Sequence, residues 1–457
     1  LLSKEINPQA IEDYFTFGYI PDPKTIYNGV CKLPPGYQLT VKKGDIELLP
    51  KQYWDLSFKA HEGLSEDDYK KELIKQFEKT VGIRMVADVP LGAFLSGGVD
   101  SSGVVAMMAG LTEDPVNTCS ISFGDPKFNE SQYAQQVAER YKTAHRVEQV
   151  EAEDFELIDK LAGLYDEPYA DSSALPTYRV CELAKKQVTV VLSGDGGDES
   201  LAGYRRYRWH MIEEKMRSII PLAIRKPIFG LLGKLYPKAD WAPKFLRAKT
   251  TFESIARDSA EGYLHSVSLM SDKMRNSLFS DTLKKDLQGY QSIEVFREHE
   301  ENCPTKDSLS LVQYLDFKTY LPGDILTKVD RASMAHALEV RVPLLDHQLV
   351  DWMSGIPPEL KLKGKEGKFI FKKGLEPHLS DDILYRDKMG FAIPVASWFR
   401  GPLKEKLRTK ILHGKLAETG YFNQSYLETL IKDHQSGVRD YSAGLWSLLM
   451  FESFLEQ

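Results

Sequence analysis

The stretch Phe94-Leu95-Ser96-Gly97-Gly98-Val99-Asp100-Ser101-Ser102 ends an apolar run in two glycines, an aspartate and hydroxyls. Between a buried strand and a helix, such a loop gathers backbone N–H groups, side-chain hydroxyls and a helix N-terminus at one point, which makes an anion site. Gly97 and Gly98 give the backbone conformations closed to other residues and let a phosphate come close. Asp100 is the odd member. A carboxylate there repels phosphate unless a divalent cation lies between them, so Asp100 reads as a magnesium ligand. Taken alone, the stretch also suits an ordinary strand-to-helix turn with Asp100 or Ser101 as N-cap, and for a lone Gly-Gly turn that is the plainer reading.

A second segment changes the odds. Val188 to Leu192 is a β-branched apolar run leading into Ser193-Gly194-Asp195-Gly196-Gly197-Asp198-Glu199, another strand that ends in a glycine-rich acidic loop. In a doubly wound sheet, ligands lie beyond the carboxyl ends of the strands, so both loops open on one edge. Asp100 and Asp198 could then share magnesium on a triphosphate. By itself the second loop could be an exposed acidic turn or a calcium loop, although its spacing fits no EF-hand.

Working outward, strand and helix patterns alternate. Residues 66–86 have helical spacing, Pro90–Leu95 reads as a strand, Ser101–Gly110 as a helix and Val116–Phe123 as a strand. A helix over 130–141, a strand over 145–150, helices over 154–165 and 174–186, and the strand Val188–Leu192 follow. Such alternation predicts right-handed βαβ units and a parallel, doubly wound α/β sheet. After Gly203 the strand signals fade and the chain looks mainly helical. Residues 1–57 are rich in turn formers, and Pro21 to Leu56 reads as short strands between Pro/Gly turns, too little to close a β core alone.

The chain has 457 residues, enough for two or three compact units. A net charge of −7 gives no general attraction to nucleic acid or to an anionic membrane, so an anionic ligand must be held locally. No apolar run is long enough to span a bilayer, and no signal peptide is evident. The four cysteines, Cys31, Cys119, Cys181 and Cys303, are far apart, which argues against a zinc site or a disulfide framework and suggests a reducing, cytoplasmic setting. The chain starts Leu1-Leu2, so an N-terminal portion of the natural protein is expected to be missing.

Five ordered blocks carry a family resemblance: PLGAFLSGGVDSS (90–102), DEPYADSSALPTY (166–178), VVLSGDGGDESLAGYRRY (190–207), LTKVDRASMAHALEVRVPLLDH (326–347) and YRDKMGFAIPVASWF (385–399). The chain resembles the synthetase half of glutamine-dependent asparagine synthetases, of the ATP-pyrophosphatase (PP-loop) group. The resemblance implies an α/β PP-loop domain over 58–457 with a mainly helical C-terminal part, preceded over 1–57 by the end of an α+β, Ntn-type glutaminase domain. The family's nucleophilic cysteine at the start of that domain is absent, so this chain is not expected to hydrolyse glutamine.

The resemblance also implies the chemistry. A carboxylate is activated by attack on the α-phosphorus of ATP, magnesium pyrophosphate leaves, and ammonia displaces AMP from the acyl-adenylate. Ser96, Gly97, Gly98, Val99, Asp100, Ser101 and Ser102 would cradle the pyrophosphate. Asp100 and Asp198 would hold Mg2+, and Leu95, Ile121, Ser193 and Gly194 would border the nucleoside. Asp195 stands at the family's acidic position for acyl-adenylate formation, where many relatives carry the longer glutamate. Lys388, in RDKMGF, matches a lysine that reaches the phosphates and the oxyanion formed on ammonia attack.

Asp330, Arg331, Glu339, Arg341, Asp346 and His347 are expected to form a buried ion-pair network organising helices near the site. His145, followed by Arg146 where the family has a second histidine, is expected to be structural. The default substrate is aspartate, with glutamine-derived or free ammonia as nitrogen source, and a homodimer is allowed. The blocks EDYFTFGYIPDPKTIYNGVCKLPPG (12–36) and KMGFAIPVASWFRGPL (388–403) are similar to amidotransferases of exopolysaccharide systems, which are thought to amidate other carboxylates, sugar carboxylates among them. Two rivals are a β-lactam- or peptide-forming cyclase using the same adenylation, and a binding-only protein. The first needs no ammonia, and the second would have degenerate loops.

Overall fold

The computed structural model describes residues 3–44, 48–123, 130–150, 156–236, 249–386 and 393–457. Its centre is a parallel five-stranded sheet of β1 (Leu91–Phe94), β2 (Asn117–Phe123), β3 (Ala144–Val150), β4 (Val190–Leu192) and β5 (Glu339–Arg341), in the spatial order β3-β2-β1-β4-β5. Every pairing is parallel, with Ala93 opposite both Thr118 and Leu192. The order reverses between β1 and β4. That is the point at which an open α/β sheet leaves a crevice beyond its strand ends. The α/β reading and the first four strands agree with the expectation. β5 does not appear in it, because three residues, two of them charged, carry too weak a signal to stand out within a helical stretch.

Side chains leave the sheet alternately to two apolar cores. Cys119, Ile121 and Val191 enter one, while Ala93, Leu95 and Leu192 enter the other. The second core is closed by α2 (Glu66–Met85), capped by a reciprocal Ser65–Asp68 box, and by α3 (Val99–Leu111), whose residues from Ser101 to Met108 are all buried. α4 (Ser131–Tyr141) runs after β2, and α5 (Ala174–Lys185) before β4.

The first core takes in the N-terminal segment. Residues Pro8–Phe17 form α1, a helix capped by Asn7 and closed by Gly18 at φ 88°, a conformation that favours glycine. This helix was not expected in a region read as turns and short strands. Tyr14 donates to the carbonyl of Ser447 at 2.8 Å, and Phe15 packs on Phe279, Phe422 and Phe451. Glu12 pairs with Arg275 at 3.0 Å and Asp13 with Lys24 at 2.6 Å. Full burial of a side chain such as Phe15 stabilises by about 2 kcal/mol, so this segment is tied into the C-terminal helices. Its β content among the described residues is a two-residue ladder, Tyr37–Gln38 with Lys51–Gln52, and isolated bridges. No described helix is long and apolar enough to cross a membrane.

Candidate active site

The two glycine loops meet at the crevice between β1 and β4. A Cβ added at Gly194 would lie 2.6 Å from the Ser101 nitrogen, so the second loop rests directly on the start of α3 and only glycine permits it. Ser96, Ser101 and the Gly98 amide bond one another, which fixes the first loop: the Ser96 and Ser101 hydroxyls are 3.0 Å apart, and the Gly98 N–H donates to Ser96 Oγ at 3.3 Å. Leu95, Ser102, Ile121 and Ser193 are buried. In the second loop Ser193 donates to Asp195, whose own N–H donates back to Ser193 Oγ at 3.2 Å. Thus Asp195 is held at the crevice.

The glycines divide their roles. Gly97, at φ 72°, turns its bare side to α4, where a Cβ would meet the Ala134 nitrogen at 2.6 Å. Packing alone therefore requires glycine at 97. At Gly98 a Cβ would meet only Ser96 Oγ, at 3.3 Å. The bare side of Gly98, at a helix start that carries no side-chain cap, is room that fits an anion.

Asp100 and Asp198 come together, and between them lies a residue that sequence reasoning did not single out. Lys368 bonds Asp100 Oδ2 and lies 2.8 Å from Asp198 Oδ1. Burial works against its charge, but the two carboxylates outweigh that and raise its pKa. A cation that touches both aspartates shows that the pair can share one positive charge, and hard carboxylate oxygens suit magnesium. The acids therefore fit the metal. Glu199, beside Asp198, is buried, donor Tyr204 holds it at 2.6 Å, and burial followed by the Asp198 charge pushes its pKa up to about 7.

Arg386 is the second residue missed. Its guanidinium pairs with Glu130 at 2.6 Å, donates to the Gly97 carbonyl at 3.2 Å and lies over the Tyr133 ring. It pins the first loop from the block that contains Lys388. Lys388 itself, with the rest of 387–392, lies outside the described residues.

A cavity of about 410 Å3 holds a second group of charges. Asp171 and Asp324 line it together with Phe17, Tyr320, Ile393 and Trp446. Lys328, buried, contacts Asp171 at 2.7 Å and Ser173 Oγ at 2.9 Å, and lies within electrostatic reach of Asp195. Asp324 sits in a π-helical turn, Leu321–Leu326, and accepts from Tyr169. Burial and then the Asp171 charge push its pKa up to about 8.

The expected buried network over 330–347 is corrected. Asp330, Arg331, Glu339 and His347 are exposed. Arg331 pairs with exposed Asp166 at 2.7 Å, Arg341 with Glu339 at 2.7 Å, and Asp346 with Arg84 at 2.9 Å. These are separate, partly solvated pairs; the buried charge of the block is Lys328, two residues earlier. His145 bonds Thr118 Oγ1 at 2.8 Å and Ser120 Oγ at 3.2 Å, and burial lowers its pKa.

The asparagine synthase family profile matches residues 72–456. Among curated proteins, an asparagine synthetase [glutamine-hydrolyzing] 1 of Bacillus subtilis is 30% identical over 449 residues, 98% of this chain and 68% of that protein. A putative asparagine synthetase [glutamine-hydrolyzing] 2 of Methanocaldococcus jannaschii is 35% identical over 352 residues, 72% of this chain and 62% of its own length. The amidase chyE of Penicillium rubens is 26% identical over 444 residues, 87% of this chain and 63% of that protein. By the profile and by these identities, the chain belongs to the asparagine synthase family and is a carbon–nitrogen ligase of that type.

Proposed function

We propose that this protein amidates a carboxylate through an acyl-adenylate, with release of AMP and diphosphate, and that the substrate is aspartate, converted to asparagine with glutamine-derived ammonia in the full-length protein. The observation that carries the reading is the meeting of two glycine loops at the strand-order reversal, with Asp100 and Asp198 on one shared cation. Carboxylates respond poorly to ammonia because their carbon is electron-rich and oxide is a poor leaving group. Adenylation supplies a good one.

In this reading Ser96 to Ser102 hold the phosphates, through the α3 N-terminus and the open side of Gly98. Leu95, Ile121, Ser193 and Gly194 border the nucleoside. Asp100 and Asp198 would hold Mg2+, which when bound neutralises charge developing on the departing diphosphate. Asp195, tied to Ser193, faces the reacting carboxyl and handles the proton shed by ammonia. Lys388 would supply positive charge to the phosphates and the oxyanion, a contribution of about 3 kcal/mol at comparable sites.

The division at residue 57, with a glutaminase origin for 1–57, belongs to the proposal as well. The packing of Pro8–Phe17 into the C-terminal core counts against treating that segment as an independent unit. Phosphorus NMR of the products, with ATP, magnesium, ammonia and aspartate, tests the reaction. AMP with diphosphate is expected, and ADP with phosphate would reject it. AMP release with uronic acids but not with aspartate would move the substrate to a sugar carboxylate.

A further inference from the structure

Lys368 is built into the crevice. It precedes the helix Phe369–Leu375 with its backbone at φ 55°, in the left-handed region, and its N–H donates to the Leu201 carbonyl at 2.9 Å. Ala202, facing it, has φ 57°. A non-glycine residue keeps such a conformation only where its surroundings over-determine it. Those surroundings are visible. A Cβ at Gly203 would lie 2.1 Å from Lys368 Cε and 2.0 Å from Asp198 Oδ1, so the lysine stem and the aspartate head fill the room that glycine leaves. A Cβ at Gly367 would lie 2.3 Å from the Ala202 carbonyl oxygen, so the neighbouring turn is pressed on the same loop. The Lys368 side chain is 6% exposed, and the aspartate side chains it joins are 16% and 14% exposed.

We infer that Lys368 is a resident counter-cation. It holds Asp100 and Asp198 together before nucleotide binds, keeps free divalent metal off the pair, and yields the shared position only when phosphates bring the metal and offer the ammonium another anion. The charge count supports this order. Of these three groups, two carboxylates and one ammonium leave one negative charge, and a dication brought to the pair would meet a cation already in place. A nucleotide's phosphates change that balance. Geometry agrees, because magnesium needs oxygens at about 2.1 Å, and an ammonium at hydrogen-bond distance from both aspartates occupies that place. Lys368 is thus a positioning residue, and its role rests on the proposed assignment of Asp100 and Asp198 to the metal.

The test is Mn2+ binding, read from loss of the free-ion EPR signal, with and without α,β-methylene-ATP. Nucleotide-free wild type is expected to bind Mn2+ at least tenfold more weakly than nucleotide-free Lys368→Met, and Mn2+ should raise the melting temperature of that variant only. Lys368→Arg, which keeps the charge, should exclude the ion as wild type does. Equal Mn2+ affinity of wild type and Lys368→Met overturns the inference. Should Lys368→Met fail to fold, Asp198→Asn and Asp198→Asn/Lys368→Met repeat the comparison with one charge fewer, and equal affinities there overturn it too. Analogue-dependent Mn2+ binding that survives both Asp100→Asn and Asp198→Asn would instead defeat the metal assignment.

Discussion

Two buried lysines hold two groups of carboxylates in this molecule, and they do so differently. Lys368 joins carboxylates from two glycine loops, at the switch point of the sheet. Lys328 follows a π-helical turn and pairs with Asp171, while the nearby Asp324 has its pKa pushed up to about 8. In the first group a buried ammonium lies between two carboxylates. In the second, one carboxylate keeps its charge and the other is disposed to hold a proton. The first arrangement suits a place where more anion and more cation must arrive together. The second suits a cavity wall that presents hydrogen-bond donors and acceptors with little net charge.

Asp100→Asn should separate the two groups most strongly. It removes one carboxylate from the shared cation but leaves Lys368 paired with Asp198, so the fold should survive. Turnover is expected to fall on the order of 100-fold or more, the scale of losing one preorganised charge contact in a site of this kind. The urea midpoint should move little. Near-normal turnover would mean that the glycine-loop group is structural, and the contrast between the groups would collapse.

Lys328→Met asks the opposite question, whether the second group is chiefly a structural pair. Lys328 is 9% exposed, and its loss leaves Asp171 and Asp324 facing each other without a cation. Breaking a buried pair by removing one partner costs about 3 kcal/mol, so equilibrium unfolding in urea should show a loss of that size. An unchanged unfolding free energy would remove Lys328 from the scaffold and leave its proximity to Asp195 as its role.

The unequal legibility of these two groups follows from sequence distance and from period. The Asp100 and Asp198 loops could be paired on paper, because each closes an apolar run with glycines and the doubly wound sheet must bring strand ends to one edge. Lys368 could not. It lies 268 residues from Asp100, at the bend between a two-stranded ladder and the helix Phe369–Leu375, with no periodic signature, and its role depends on the room left by Gly203. Asp171 and Lys328 are likewise 157 residues apart. β5 was hidden by its brevity. The charged residues from Asp330 to His347 suggested burial by their density, whereas density without apolar alternation is what partly solvated strands and turns also show. Pro8–Phe17 was lost among turn formers, although Asn7-Pro8 and Gly18 were a readable start and stop.

Asp324→Asn tests the smallest effect and the physical basis of the contrast. Tyr169 donates to Asp324, while Asp171, Lys328, the buried Tyr165 and the half-buried Tyr320 surround it. With the folded pKa raised to about 8, against about 4 in the unfolded chain, the native state holds the extra proton across that interval. Stability from this group is therefore present at low pH and is lost as pH rises towards 8, by at most ~1.4 kcal/mol per pH unit. Asparagine keeps the acceptor for Tyr169 and carries no proton to lose. Urea unfolding at pH 5, 6, 7 and 8 should show the variant gaining on wild type at each step, by about 1 kcal/mol or less per unit once Lys328 relieves part of the charge. Parallel profiles would mean that Asp324 ionises as freely as Asp171 does, and both groups would then rest on the same kind of ion pair.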